Sequence, residues 1–327
     1  MKTSTFVPFA VALAILAGCQ GGAPNNSQAE AGKRPEGKKI VVGFSQIGAE
    51  SAWRTANTNS IKDEAEKRGI ELKFSDAQGN QVNQIKAIQS FIDQGVDVIA
   101  FSPVVETGWT NILQQAKDAG IPVIVSDRRP DVPDDLYVTF IGSDFIEEGR
   151  RAAQWLVGKT GGHAVIAEMT GTPGSAPAND REKGFGDVIA DHPDMKIVFE
   201  QTGNFERAKG KEVMEALLKS PEGKKINVLY AHNDDMAVGA VQAIKEAGLK
   251  PGKDIIIVSI DGIHDALQGI VDGDMNCSVE CNPLLGPFLF DAVDSVLAGK
   301  KLPKRTVIKD SMFTVDNAAE VLPDRKY

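Results

Sequence analysis

The chain has 327 residues, of which 42% are apolar and 25% charged, with 36 basic against 45 acidic side chains and a formal net charge of -9. This is enough apolar material for two cores of roughly 100 to 150 residues each. The acidic balance, which no Lys/Arg cluster offsets, repels a phosphate backbone, so nucleic acid is excluded as the expected partner.

The N-terminal residues read as an export segment. Lys2 supplies a positive charge, Phe6 to Ala17 is apolar apart from Pro8, and Leu16-Ala17-Gly18-Cys19 closes the run. The stretch is too short to span a bilayer as a mature helix. Small residues directly before a cysteine resemble the bacterial lipobox, in which the thiol is diacylated and cleavage leaves it at the N-terminus. Residues 1–18 are thus expected to be a lipoprotein signal peptide, with Cys19 as the lipidation site and the only membrane contact. Residues 19–37 are rich in Gly, Asn, Ala, Glu and Pro without apolar periodicity and read as a flexible tether.

From Lys39 short β-branched runs alternate with helical patterns, the signature of βαβ units and parallel sheets. Strands are expected at Ile40–Ser45, Leu72–Ser75, Val98–Ser102, Val123–Ser126 and Tyr137–Gly142. The helices between them run near Ala52–Arg68, Val82–Gln94 and Trp109–Ala119, each stopped by a glycine (Gly69, Gly95, Gly120) suited to positive φ. A second series follows Asp144, with strands at Ala164–Glu168, Ile197–Thr202, Val228–Ala231, Ile255–Ile260 and Asn276–Glu280. Its helices are read near Ile146–Val157, Arg181–Ile189, Arg207–Lys219 and up to Ala247. The tail adds a helix near Pro287–Ala298 and a strand near Arg305–Lys309. The fold class is α/β: two Rossmann-like lobes with parallel-sheet cores, joined by a hinge of several strand crossings because no Gly/Ser/Pro linker separates them. The first lobe comprises 38–142 with 281–311, the second 143–280 with 312–327.

In open parallel sheets ligands gather beyond the carboxyl ends of the strands. The residues expected there are polar: Ser45, Gln46, Glu50, Trp53 and Arg54 after the first strand, and Asp127 and Arg128 after the fourth. The second lobe offers Asp180 and Arg181 opening a helix, Asn204 and Phe205, Asn233, Asp261, and Glu280 near a crossing. Vicinal hydroxyls are donors and acceptors at once, which Asp, Arg and Asn complement, and sugar C–H faces suit Trp53 and Phe205. Charge-assisted hydrogen bonds contribute roughly 1.5 to 3 kcal/mol each against about 1 for neutral ones, so such a cleft favours a neutral polyol. Singly, Asp and Asn at these places are often turn formers or helix caps. Their recurrence past one strand end after another is what points to a ligand.

The runs Val42-Gly43-Phe44-Ser45-Gln46, Glu64-Ala65-Glu66-Lys67-Arg68-Gly69-Ile70, Tyr230-Ala231-His232-Asn233-Asp234-Asp235-Met236 and Ile260-Asp261-Gly262 resemble the type I periplasmic sugar-binding proteins of ABC importers. The resemblance is to the ribose and galactose group, nearest its galactofuranose-binding branch, and covers nearly all of 39–308. It implies a hydroxyl-binding pair at Asp127 and Arg128, a second-lobe arginine at Arg181, a stacking aromatic at Phe205, and a closing amide and carboxylate at Asn233 and Asp261. Glu280 stands where the ribose group usually carries Gln, and Trp53 with Arg54 replaces its paired first-lobe Phe; both departures point away from ribose. The implied partners are a monosaccharide and an ABC permease, with the binding protein a monomer.

Other signals are weaker. Gly43 to Gly48 is not a dinucleotide fingerprint. His163, His192, His232 and His264 lack ligand spacing, the acids Asp131, Asp134 and Asp135 lack a calcium loop's Gly and terminal Glu, and neither a metal nor a cofactor is expected. Cys277 and Cys281, four apart on a strand, stand about 13 Å apart and are read as buried thiols rather than a disulfide. A repressor of similar fold would need a basic helix-turn-helix ahead of the first strand, where this chain has a signal and tether. A glycosidase would use Asp127, Asp261 or Glu280 as paired carboxylates, yet each neighbours Arg or Asn. The reading is therefore a binding protein rather than an enzyme, with a chemoreceptor or sensor kinase as the alternative partner.

Overall fold

The computed structural model describes residues 39–327; Cys19, the signal segment and the tether lie outside them. The first series is β1 (Val41–Gln46), α1 (Ala52–Lys67), β2 (Glu71–Asp76), α2 (Gln81–Asp93), β3 (Val98–Phe101), α3 (Thr110–Asp118), β4 (Val123–Ser126) and β5 (Thr139–Gly142). The second is α4 (Phe145–Thr160), β6 (Ala164–Thr170), α5 (Ala176–Ile189), β7 (Met195–Thr202), α6 (Arg207–Lys219), β8 (Val228–Ala231), α7 (Asp234–Glu246), β9 (Ile256–Asp261), α8 (His264–Asp272) and β10 (Cys277–Glu280). The chain then returns through α9 (Gly286–Leu297), β11 (Arg305–Val307), β12 (Met312–Thr314) and α10 (Ala318–Val321).

These elements form two six-stranded sheets, ordered β11-β5-β4-β3-β1-β2 and β12-β10-β9-β8-β6-β7. Every pairing is parallel except that of β12 with β10. Parallel strands covered by helices on both faces read as continuous apolar runs. Val98–Phe101 and Val123–Ser126 are buried at every position. The fold is thus two α/β lobes, as the alternation of patterns predicts. Between the sheets the chain crosses after β5, after β10 and after β11.

The first sheet carries a core on each face. One gathers Val42, Phe44, Ile61 and Phe290 beneath α1 and α9, the other Ile88, Phe91, Phe101 and Trp109 beneath α2 and α3. The second lobe has one continuous core, and Trp53 of α1 joins it. Trp53 is therefore a bridge between lobes as well as a cavity wall.

Three local differences from the expected elements have clear causes. Helix α5 begins at Ala176, behind Ser175 and with Pro177 in its first turn, so Asp180 and Arg181 sit in its second turn instead of opening it. Proline pre-sets the φ of a first helical turn. Asp134 and Asp135 fold into a short 3-10 turn, Asp134–Leu136. The tail forms β12 and α10 beyond the expected β11, because a three-residue strand leaves too little periodicity to read.

Candidate functional site

The carboxyl ends of the two sheets face one another across a small polar cavity. Asp127, Phe205 and Asp261, which line it, have φ of 63°, 65° and 131°. Gln78 and Asn204, at 53° and 55°, line the groove beside it. These five are all the non-glycine residues with positive φ among the described residues. Such backbone costs about 1–3 kcal/mol per residue and persists where the surrounding structure over-determines it.

The first-lobe wall is built on the loop ahead of α1 and the residues after β4. Ser51 caps α1 by accepting from the Arg54 amide at 3.1 Å, which sets Trp53 and Arg54 over the cavity. Arg54 Nη2 lies 2.7 Å from Asp127 Oδ2, and its Nε donates to Glu50 Oε1 at 3.1 Å. Asp127 Oδ2 also accepts from the Ser102 hydroxyl at 3.0 Å. Arg128 donates from Nη1 to the Val104 carbonyl at 3.2 Å and stands 3.6 Å from Glu50 Oε1. Burial works against both cations. Asp127 and Glu50 outweigh it for Arg54, whose pKa is raised. For Arg128 burial and the adjacent Arg54 charge lower it to about 10, still protonated at neutral pH. Glu50 Oε2, Arg54 Nη1 and Arg128 Nε are buried with no protein partner. A buried polar atom left unsatisfied costs about 1–3 kcal/mol, so this wall presents two donors and an acceptor to whatever enters.

The second-lobe wall is fixed from behind. Arg181 donates from Nε to Glu148 Oε2 on α4 at 2.8 Å and from Nη1 to the His232 carbonyl at 2.7 Å, leaving Nη2 3.6 Å from Asp261. Helices α4 and α5 meet closely enough that a Cβ on Gly149 would lie 2.3 Å from the Arg181 carbonyl oxygen. Burial opposes the Arg181 charge, but Glu148 first, and Asp261 with it, raise its pKa. Burial pushes Asp261 well above the usual carboxylate range against the pull of Arg181. Asn233 caps α7, its Oδ1 accepting from the Met236 amide at 3.0 Å while its Nδ2 donates to the Phe205 carbonyl at 3.1 Å. The Phe205 ring packs on Gly171, where a Cβ would lie 1.9 Å from it. Across the cleft the Arg128 guanidinium stands 5.2 Å from the Phe205 ring centroid.

Of the residues singled out in the sequence, Glu50, Trp53, Arg54, Asp127, Arg128, Arg181, Phe205, Asn233 and Asp261 line this cavity. Ser45, Gln46, Asp180, Asn204 and Glu280 do not, each for its own reason. Ser45 is buried within β1. The Gln46 amide is satisfied by Asn57, Thr58 and the Ile47 amide. Asp180 meets Arg129 of the other lobe, and Asn204 turns into the adjoining groove. Glu280 accepts from Arg325 at 2.8 Å, Tyr327 at 3.0 Å and the Ser311 amide at 2.8 Å; burial opposes its charge, but Arg325 outweighs it and lowers the pKa. Three lining residues escaped the sequence reading: Ser51, Pro177 and Cys281. The first two carried a signal, as an N-cap serine and a helix-opening proline, while Cys281 had only its place after β10.

Among the described residues no cluster of His, Cys, Asp and Glu is arranged to hold a metal, and no helix is long and apolar enough to cross a membrane. Cys277 and Cys281 are free and buried, and His232, one residue past β8, is buried against Glu168 at 2.9 Å.

The chain is 49% identical over 291 residues to the galactofuranose-binding protein YtfQ of Escherichia coli strain K12, covering 88% of this chain and 92% of that protein. A solved structure from Mycobacterium smegmatis in complex with β-D-fucofuranose superposes with a TM-score of 0.85 at 54% identity, over 88% of this chain and 95% of that one. The periplasmic binding protein of the arabinose ABC transporter from Shewanella sp. ANA-3, bound to α- and β-L-arabinofuranose, gives the same TM-score and identity over 88% and 96% of the two chains. The model of the periplasmic binding protein domain matches residues 42–301. With the two-lobed fold and a cleft between the lobes, these likenesses establish that the chain belongs to the periplasmic binding protein family.

Proposed function

We propose that this protein captures a monosaccharide in its furanose form between the two lobes and delivers it to an ABC permease. The observation that carries the reading is the cavity itself. Paired Arg and Asp/Glu groups from both lobes enclose a small volume, leave donors and an acceptor facing inward, and set Phe205 alongside them. Similar proteins hold galactofuranose, fucofuranose and arabinofuranose, which differ in substituents and share the five-membered ring. The ring is therefore the feature this cavity is expected to select. Closure follows because a sugar touches residues of both walls only when the lobes are together.

The test is carbon-13 NMR of labelled galactose, fucose and arabinose with the protein. Bound anomeric signals in the furanose region are expected; bound signals confined to the pyranose region reject ring selection, and no binding of any sugar rejects the function. The diacylated Cys19 anchor is part of the same proposal, resting on the residues around Cys19. Cys19→Ser is expected to move the protein into the soluble fraction, and continued membrane retention rules the anchor out.

A further inference from the structure

We infer that Arg129 and Asp180 form a charge latch across the cleft, outside the sugar cavity, that sets how long the lobes stay shut; the inference rests on the closing-cleft function proposed above. Arg129 follows β4 in the first lobe and Asp180 lies on α5 in the second. The guanidinium meets the carboxylate through both forks, Nη1 with Oδ2 and Nη2 with Oδ1, the latter at 3.2 Å. Paired parallel bonds between Arg and a carboxylate add directional specificity to charge attraction.

The pair has support from each side. Arg129 also lies 3.2 Å from Glu106 of its own lobe, and Glu106 accepts from the Asn179 amide on α5 at 2.6 Å. The Glu106 backbone amide donates to the Gly174 carbonyl of the second lobe at 2.9 Å. Each lobe thus contributes two side chains, and none of the four lines the cavity. The Asp180 side chain is 10% exposed and that of Glu106 17%, so both are screened less than surface charges, while Arg129 at 42% keeps contact with water. On the cavity's other flank, Asp235 of α7 accepts from the Ala52 amide at the start of α1 at 2.7 Å while holding Arg207 at 2.9 Å. The lobes are joined on two sides by contacts that need no ligand atom.

A contact made only in the closed form raises affinity by raising that form's share of the population, whatever the ligand. Stopped-flow measurement of sugar release, read by Trp53 fluorescence, tests this with Asp180→Asn and Arg129→Gln. Each is expected to speed release about fivefold, the effect of a partly exposed ion pair, while association changes by less than about twofold. The factor should be the same for every sugar bound, and wild-type release should quicken with salt while that of Asp180→Asn does not. Exchanging the charges, Arg129→Asp with Asp180→Arg, should restore slow release. Unchanged release in both single variants, or a loss that differs between sugars and resists the exchange, overturns the latch and returns Asp180 to the ligand. Should the wild type bind no sugar, the function proposed above fails by itself. The latch is then read from small-angle scattering of the protein alone: a larger radius in Asp180→Asn supports it, and an unchanged radius rejects it.

Discussion

On the first-lobe wall the charged groups are chained to one another by ion pairs, whereas on the second Arg181 and Asn233 are fastened to the lobe behind them. Glu50, Arg54, Asp127 and Arg128 form a chain of ion pairs within one lobe. Arg181 and Asn233 instead take hold of Glu148, the His232 carbonyl, a helix terminus and the Phe205 backbone. The first wall is thus a polar surface laid over a fold that does not depend on its far end, and the second is continuous with the packing of its lobe. Substitutions should separate binding from stability on the first wall and mix them on the second.

The largest effect is expected from Glu148→Ala. Removing one partner of a buried ion pair costs roughly 3–5 kcal/mol, because the other charge stays buried alone. Arg181 then loses its anchor, so both the ligand-free melting temperature and the sugar affinity should fall; a variant with unchanged melting would break the contrast between the walls. Next comes Arg128→Ala on the first wall. Losing the one charge-assisted hydrogen bond that its unpartnered Nε can give, at about 1.5–3 kcal/mol, weakens binding roughly 10- to 150-fold. The ligand-free melting temperature should hardly move, since the closest protein acceptors of Arg128 are the Val104 carbonyl and Glu50. Calorimetry showing wild-type affinity, or a melt as depressed as that of Glu148→Ala, would remove the distinction.

The last effect, spread over a range of pH, concerns the crossings between the walls. Asp310 accepts from the Asn282 amide at 3.0 Å, and its backbone carbonyl accepts from Arg151. Burial, then the Glu148 charge, with Glu280 also near, raises its pKa to about 7, against a relieving bond from Ser143. Unfolded, the carboxyl would ionise near 4. Between about pH 4 and 7 the native state holds a proton that the unfolded chain has released, so this group lowers stability as pH rises. Asp310→Asn should flatten that slope, its advantage over wild type growing from pH 5 to pH 7; parallel melting curves across that range would show that the crossing does not titrate there.

Much of this molecule was legible in its sequence. The buried strands announce themselves as apolar runs such as Val98–Phe101, and glycines after the helices mark where they stop, because these are properties of neighbouring residues. Residues at or within three positions of a strand end, Asp127, Arg128, Phe205 and Asp261, are legible the same way, since the strand delivers them to the cleft. The start of α5 is not legible from apolar periodicity, because Ser175 and Pro177 carry that boundary.

The tertiary structure alone decided which polar side chains remain available. Asp180 is claimed by Arg129, 51 residues away, and Glu280 by Arg325, 45 residues away, while Gln46 is satisfied by α1. No local pattern separates these carboxylates from Asp127 and Asp261, which have the same chemistry and similar places near strand ends. A charged group takes whichever partner the fold brings within hydrogen-bonding reach, and that distance exists only once both lobes and the C-terminal tail are in place.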